Sequence, residues 1–239
     1  MAARPLLAGD GVPDAALGEA AQRFRSDLAP AGLKPDIFLA AQISKANLAQ
    51  LLSHTGKALI EYPCPSSPAL LDPPHQGHAL LLSLGTNTAF DLPLAEEFCA
   101  ALWERLPIFP AARHETVEFA LQEAVANALV HGNLGVPGHF KETKEGFEHY
   151  CATLSQRRNT PAYAERRLDI SAHDLDGTSI RIVVADQGEG YELNGQSAAQ
   201  AHSKAGRGLT IIRELADETV IDDGGRRITL IFRDRGDRA

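Results

Sequence analysis

Glu115–Asn133 reads ETVEFALQEAVANALVHGN, and its spacing predicts one helix. Val117, Leu121, Ala124, Val125, Ala128 and Leu129 recur every three or four residues and form an apolar face. No proline or glycine interrupts the run before Gly132, which stands where a helix ends. Inside this pattern Glu123, Asn127 and His131 follow one another at four-residue spacing and share one stripe. A carboxylate one turn from a carboxamide puts a base and a neutral oxygen ligand before the same space. Mg²⁺ takes such oxygen ligands and needs few from protein, because phosphates and water complete its octahedron. The same stripe also fits the solvated face of an amphipathic helix, so the rest of the chain must decide.

Two later stretches bear on it. Ser179–Asp186, SIRIVVAD, is a β-branched run that delivers Asp186 into Gln187-Gly188-Glu189-Gly190. A strand that ends so presents a carboxylate beside open backbone. Gly206-Arg207-Gly208-Leu209 then opens a second amphipathic helix, Leu209–Ala216. A glycine turn feeding a helix N-terminus suits phosphate, because free N–H groups and the helix dipole point at the anion.

With these residues in place the chain resembles the GHKL ATPase superfamily, which includes gyrase, histidine kinases and bacterial anti-sigma-factor serine kinases. Glu123 and Asn127 match its N box, Asp186–Gly190 its D-x-G-x-G box, and Gly206–Leu209 its second glycine box. The pattern Glu-Ala-x-x-Asn-Ala-x-x-His-Gly is similar to the anti-sigma kinase branch. His131–Leu134, Arg166–Ile170, Ala216–Glu218 and Arg227–Phe232 add to the likeness, which covers roughly 80–235.

The resemblance implies an α+β fold, a two-layer sandwich with helices on one face of a mixed sheet. It implies ATP and Mg²⁺ as cofactors. Asn127 would hold the metal and Asp186 would accept the adenine amine. Gly188 and Gly190 would admit the base, Gly206, Gly208 and Leu209 would open the phosphate site, and Glu123 would act as the catalytic base. Arg207 would pair with a phosphate or lie on the lid surface. Tyr191–Ala205, polar and small, would be a lid over ATP. The hydroxyl phosphorylated in the anti-sigma kinases belongs to a STAS-domain antagonist, so a STAS protein and a sigma factor are the implied partners.

The remaining chain is read from composition and breaks. At 239 residues, 44% apolar and 23% charged, it can bury a sizeable core. A net charge of −8 argues against general nucleic-acid binding. Cys64, Cys99 and Cys151 form no C-x-x-C pair, so reduced thiols and a cytoplasmic protein are expected. No secretory signal or membrane-spanning run is present. Residues 1–15 are expected to be loose, Ala15–Leu28 a helix, and Asp36–Ala41 and Lys57–Tyr62 strands around a helix near Ser44–His54. Prolines between Pro63 and Pro74 suggest a boundary near 75. This divides the chain into an appendage, 1–75, and an ATPase-like part, 76–239. The appendage is either a degenerate receiver or a dimerisation segment that would make a homodimer.

In the second part, Ala79–Asp91 reads as a strand and turn and Pro93–Leu106 as a helix. Trp103 is expected in helix packing. Gly135–Gly138 is a break, and residues 141–158 form a solvated helical insert. Arg166–Asp174 and Thr178–Asp186 make a hairpin around Asp176-Gly177, and Val220–Asp222 with Arg226–Arg233 make another. No G-x-x-x-x-G-K-S/T, zincin or G-x-S-x-G motif competes. The activity that the resemblance implies is that of an ATP-dependent serine/threonine kinase. The alternatives are an ATP-sensing module that sequesters its partner and, more weakly, a histidine kinase-type protein. For the last, His54 ends a short helix with no acidic residue after it.

Overall fold

The computed structural model describes residues 3–63, 79–107, 109–138, 143–190 and 207–234. The strands are β1 (Leu6–Asp10), β2 (Asp27–Leu28), β3 (Ile37–Ala40), β4 (Ala58–Glu61), β5 (Leu80–Gly85), β6 (Arg167–Asp174), β7 (Ser179–Asp186), β8 (Glu218–Asp222) and β9 (Arg227–Arg233). They form one nine-stranded sheet in the order β2-β1-β3-β4-β5-β6-β7-β9-β8. Neighbours from β2 to β5 pair in parallel, and those from β5 to β8 are antiparallel. The helices are α1 (Asp14–Arg23), α2 (Leu48–His54), α3 (Thr86–Phe90), α4 (Leu94–Arg105), α5 (His114–Asn127), α6 (Lys144–Arg158), α7 (Pro161–Ala164) and α8 (Arg207–Leu215).

Strand alternation sets the two faces. Leu80, Leu82 and Leu84 join Leu168, Ile170, Ile182, Val184 and Leu230 in the main core. Against this face lie Leu52 of α2, Phe98 and Leu102 of α4, Leu121 and Ala124 of α5, and Ile212 of α8. A fully buried leucine here contributes about 1.5–3 kcal/mol, so the apolar face of α5 holds it on the sheet. The mixed sheet with its helix layer is the expected α+β arrangement. The N-terminal strands add to it. Leu7, Ile37, Leu39, Ile60 and Leu81 face the other way and pack with Leu17 and Ala20 of α1. Helices therefore lie on both faces in this part.

Several expectations are corrected. Residues 6–10, expected to be loose, are β1, paired on both sides, with Leu7 fully buried. The first helix stops at Arg23 rather than Leu28. Arg25 turns at φ 50° so that β2 can begin at Asp27. Thr86–Phe90 is a helix rather than a turn, because Glu61 accepts its leading Gly85 N–H at 2.6 Å and the Thr88 hydroxyl. The helix expected to continue to Gly132 stops at Asn127 and passes into a π-helical turn, Ala128–Asn133.

The sheet continues across the two parts of the chain through β4 and β5. Arg105 of α4 donates to the carbonyls of Leu52 and Thr55 at 2.7 Å each, closing the end of α2. The proposed boundary near 75 lies outside the described residues. Among the described residues no helix is long and apolar enough to cross a membrane.

Candidate functional site

Asn127 and His131 of the polar stripe face a cavity of about 460 Å³ that Gly132, Asp186, Gly190 and Leu209 also line, with Val184 and Ile228 among its apolar walls, while Glu123 lies outside this lining. The stripe lies along the cavity because its apolar neighbours are fixed on the sheet. Val117, Ala120, Leu121 and Ala124 are almost fully buried.

At one end stands Asp186. Its N–H donates to the Arg226 carbonyl at 2.9 Å, and its Oδ1 accepts the Gly188 N–H at 2.8 Å. Burial pushes its carboxyl up to about 6, against the pull of that N–H and of the Arg226 and Arg166 charges. Two glycines make the close approach possible. A Cβ on Gly188 would stand 2.3 Å from the Gly132 carbonyl oxygen, and one on Gly132 would stand 2.4 Å from Asp186 Cγ. Gly190, at φ 73°, passes the Gly224 carbonyl just as closely.

At the other end α8 begins. A Cβ on Gly208 would stand 2.9 Å from Glu123 Oε2 and 3.3 Å from Asn127 Oδ1. The carboxylate, the carboxamide and the first turn of α8 thus meet in one place. A carboxylate and a carboxamide are hard oxygen donors beside N–H groups that attract phosphate. This donor set fits Mg²⁺ brought in on phosphate oxygens.

Asn127, Asp186, Gly190 and Leu209 therefore line one cavity, Glu123 joins Asn127 at Gly208, and Gly188 lies against Gly132 and Asp186. Gly206 and the lid, Tyr191–Ala205, lie outside the described residues, as does the side chain of Arg207. His131 lines the cavity and its Nδ1 lies 2.6 Å from the Val136 carbonyl oxygen. Trp103 stacks on His114 with ring centroids 3.9 Å apart, as its expected packing role requires.

Sequence reasoning missed part of the lining. Val136 and Pro137, read as a break, form a wall. Gly225, Arg226 and Ile228, read as a hairpin, close the end beside Asp186. The doubled glycine Gly224-Gly225 was the available signal, since both adopt positive φ.

The family model described as histidine kinase-like ATPase domain matches residues 87–232, more than half of the chain. Searches of curated proteins and of solved structures give no match. The matched region spans α5, the Asp186 loop and α8, so the cavity is built inside it. An ATPase domain implies ATP binding, and this chain belongs to the histidine kinase-like ATPase domain family.

Proposed function

We propose that this chain is an ATP-dependent serine/threonine protein kinase of the anti-sigma-factor type. The observation that carries the reading is the meeting of Glu123 and Asn127 at Gly208, in the first turn of α8. A pure nucleotide sensor needs the carboxamide and the helix N-terminus but has no use for a carboxylate at the phosphate end.

Each residue has a role in this reading. The Asp186 carboxylate accepts the exocyclic amine of adenine. Guanine carries a carbonyl oxygen in that place, and two acceptors repel. Gly188 and Gly190 let backbone approach the base. The N–H groups at the start of α8 receive phosphate oxygens, helped by the helix dipole. Asn127 supplies an oxygen ligand to Mg²⁺, which when bound neutralises phosphate charge. Glu123 accepts the proton of the attacking hydroxyl. That oxygen forms its bond to the γ-phosphorus as the bond to the bridging oxygen breaks and ADP departs. Catalysis of this kind is mainly positioning and charge stabilisation.

The proposed substrate is a Ser or Thr of a STAS-domain antagonist, and the regulated partner is a sigma factor. The test is incubation with labelled ATP and candidate STAS proteins, followed by identification of the modified residue. Label on Ser or Thr that vanishes in Glu123→Ala is the expected result. Tight ATP binding with no transfer to any STAS protein would replace the kinase by an ATP-controlled sequestering module.

A further inference from the structure

We infer that Asn133 is a positioning residue that sets where Asp186 is presented to the base, an inference that rests on Asp186 reading adenine. The ladder between β6 and β7 ends at the pair Leu168–Asp186. One step further, Arg167 would face Gln187 and their main chains would pair. They do not, because side chains take those bonds. Asn133 Nδ2 donates to the Arg167 carbonyl at 3.0 Å, and the Gln187 N–H donates to Asn133 Oδ1 at 2.8 Å. The Arg167 N–H donates to Gln187 Oε1 at 2.9 Å.

A fully buried carboxamide is thus wedged between two strands, with its donor on one and its acceptor on the other. It parts β7 from β6 immediately after Asp186. The chain is sent instead toward Gly132, against which the Asp186 carboxylate lies. Arg166 holds the wedge from behind, donating to the Asn133 carbonyl at 2.7 Å. The wedge and the contact glycine are neighbours in sequence, so one turn after α5 sets both.

Only a side chain with a donor and an acceptor at this reach satisfies both strands. Asp fits in size but, when ionised, cannot donate to Arg167, so Asn133→Asp, titrated at pH 8 or above, is the sharpest probe. Affinities for ATP and GTP are measured by titration calorimetry for wild type, Asn133→Asp, Gln187→Ala and Asp186→Asn, with thermal melts as a fold control. The wild type should prefer ATP. Asn133→Asp should lower that preference about tenfold, the size of one lost hydrogen bond, and Gln187→Ala should lower it less. A purely structural role for Asn133 would lower the melting temperature and weaken both nucleotides alike. If Asp186→Asn removes the preference while Asn133→Asp retains it, the positioning role is overturned. If Asp186→Asn leaves the preference intact, the adenine reading itself fails. Should Asn133→Asp not fold, Asn133→Ser is titrated in its place, being too short to bridge both strands: an unchanged preference in a folded variant overturns the positioning role, and a lowered one with the melt retained supports it.

Discussion

Gly132 rests directly on Asp186, so closely that a Cβ at position 132 would lie 2.4 Å from Asp186 Cγ. The π-helical turn after α5 and the end of β7 therefore define this end of the cavity jointly.

Replacement of Gly132 by alanine should push the Asp186 carboxylate out of place. The overpacking cost is about 1–3 kcal/mol of stability. ATP affinity should fall more than tenfold in a variant that still melts cooperatively. Calorimetric titration beside a thermal melt checks this, and unchanged affinity would refute the contact.

Asp186 also makes a pH prediction. Its folded pKa of about 6 lies above the usual aspartate value of 3.8, so folding favours the protonated form. As pH rises from about 4 to 6, the unfolded chain loses this proton first, and stability falls. The total loss, complete above the folded pKa, is about 3 kcal/mol. Asp186→Asn should therefore melt higher than wild type at pH 7.5 and close to it at pH 4, without nucleotide. In wild type, adenosine affinity should rise between pH 5 and 7 as the carboxylate ionises. In Asp186→Asn it should stay flat.

Glu123 and Asn127 share one stripe but should fail differently. Asn127→Ala removes a metal ligand, and Mg²⁺-dependent ATP binding should weaken. Glu123→Ala leaves binding intact, while transfer falls by about 10²–10⁴, the usual contribution of a general base. That corresponds to about 3–5 kcal/mol of barrier. Single-turnover transfer measured at saturating ATP separates the two, and a wild-type rate in Glu123→Ala would sink the assignment.

The joint between the parallel strands and the rest of the chain should matter for stability. Arg105→Ala leaves the Leu52 and Thr55 carbonyls without their donor and should cost about 2–3 kcal/mol. Expression of residues 76–239 alone should give an aggregating product. Removal of β4 turns β5, with Leu81 on its uncovered side, into an open edge. A soluble, cooperatively melting fragment would show that this part stands by itself.

Much of the site was legible in local spacing. A four-residue repeat places Glu123 and Asn127 on one side of a helix, a strand running into glycines announces Asp186, and a glycine turn opening a helix announces Gly208. Such features follow from chain geometry within a turn or two, which neighbouring residues set. The β6–β7 hairpin was legible for the same reason, since Asp174 and Asp176 bond the backbone of their own turn.

Other features were decided by distant partners. β1 is short and contains Gly9, and it becomes a strand only because β2 and β3 supply its hydrogen bonds. Glu61 looks like any strand-end acid until the fold brings Gly85 and Thr88 to it, 24 and 27 residues on. Asn133 bonds Arg167 and Gln187, 34 and 54 residues away, and nothing in its own neighbourhood announces that use. Local periodicity determined which side chains share a face. Which buried polar groups satisfy one another was settled when the sheet closed, because a hydrogen bond depends on proximity in space rather than along the chain.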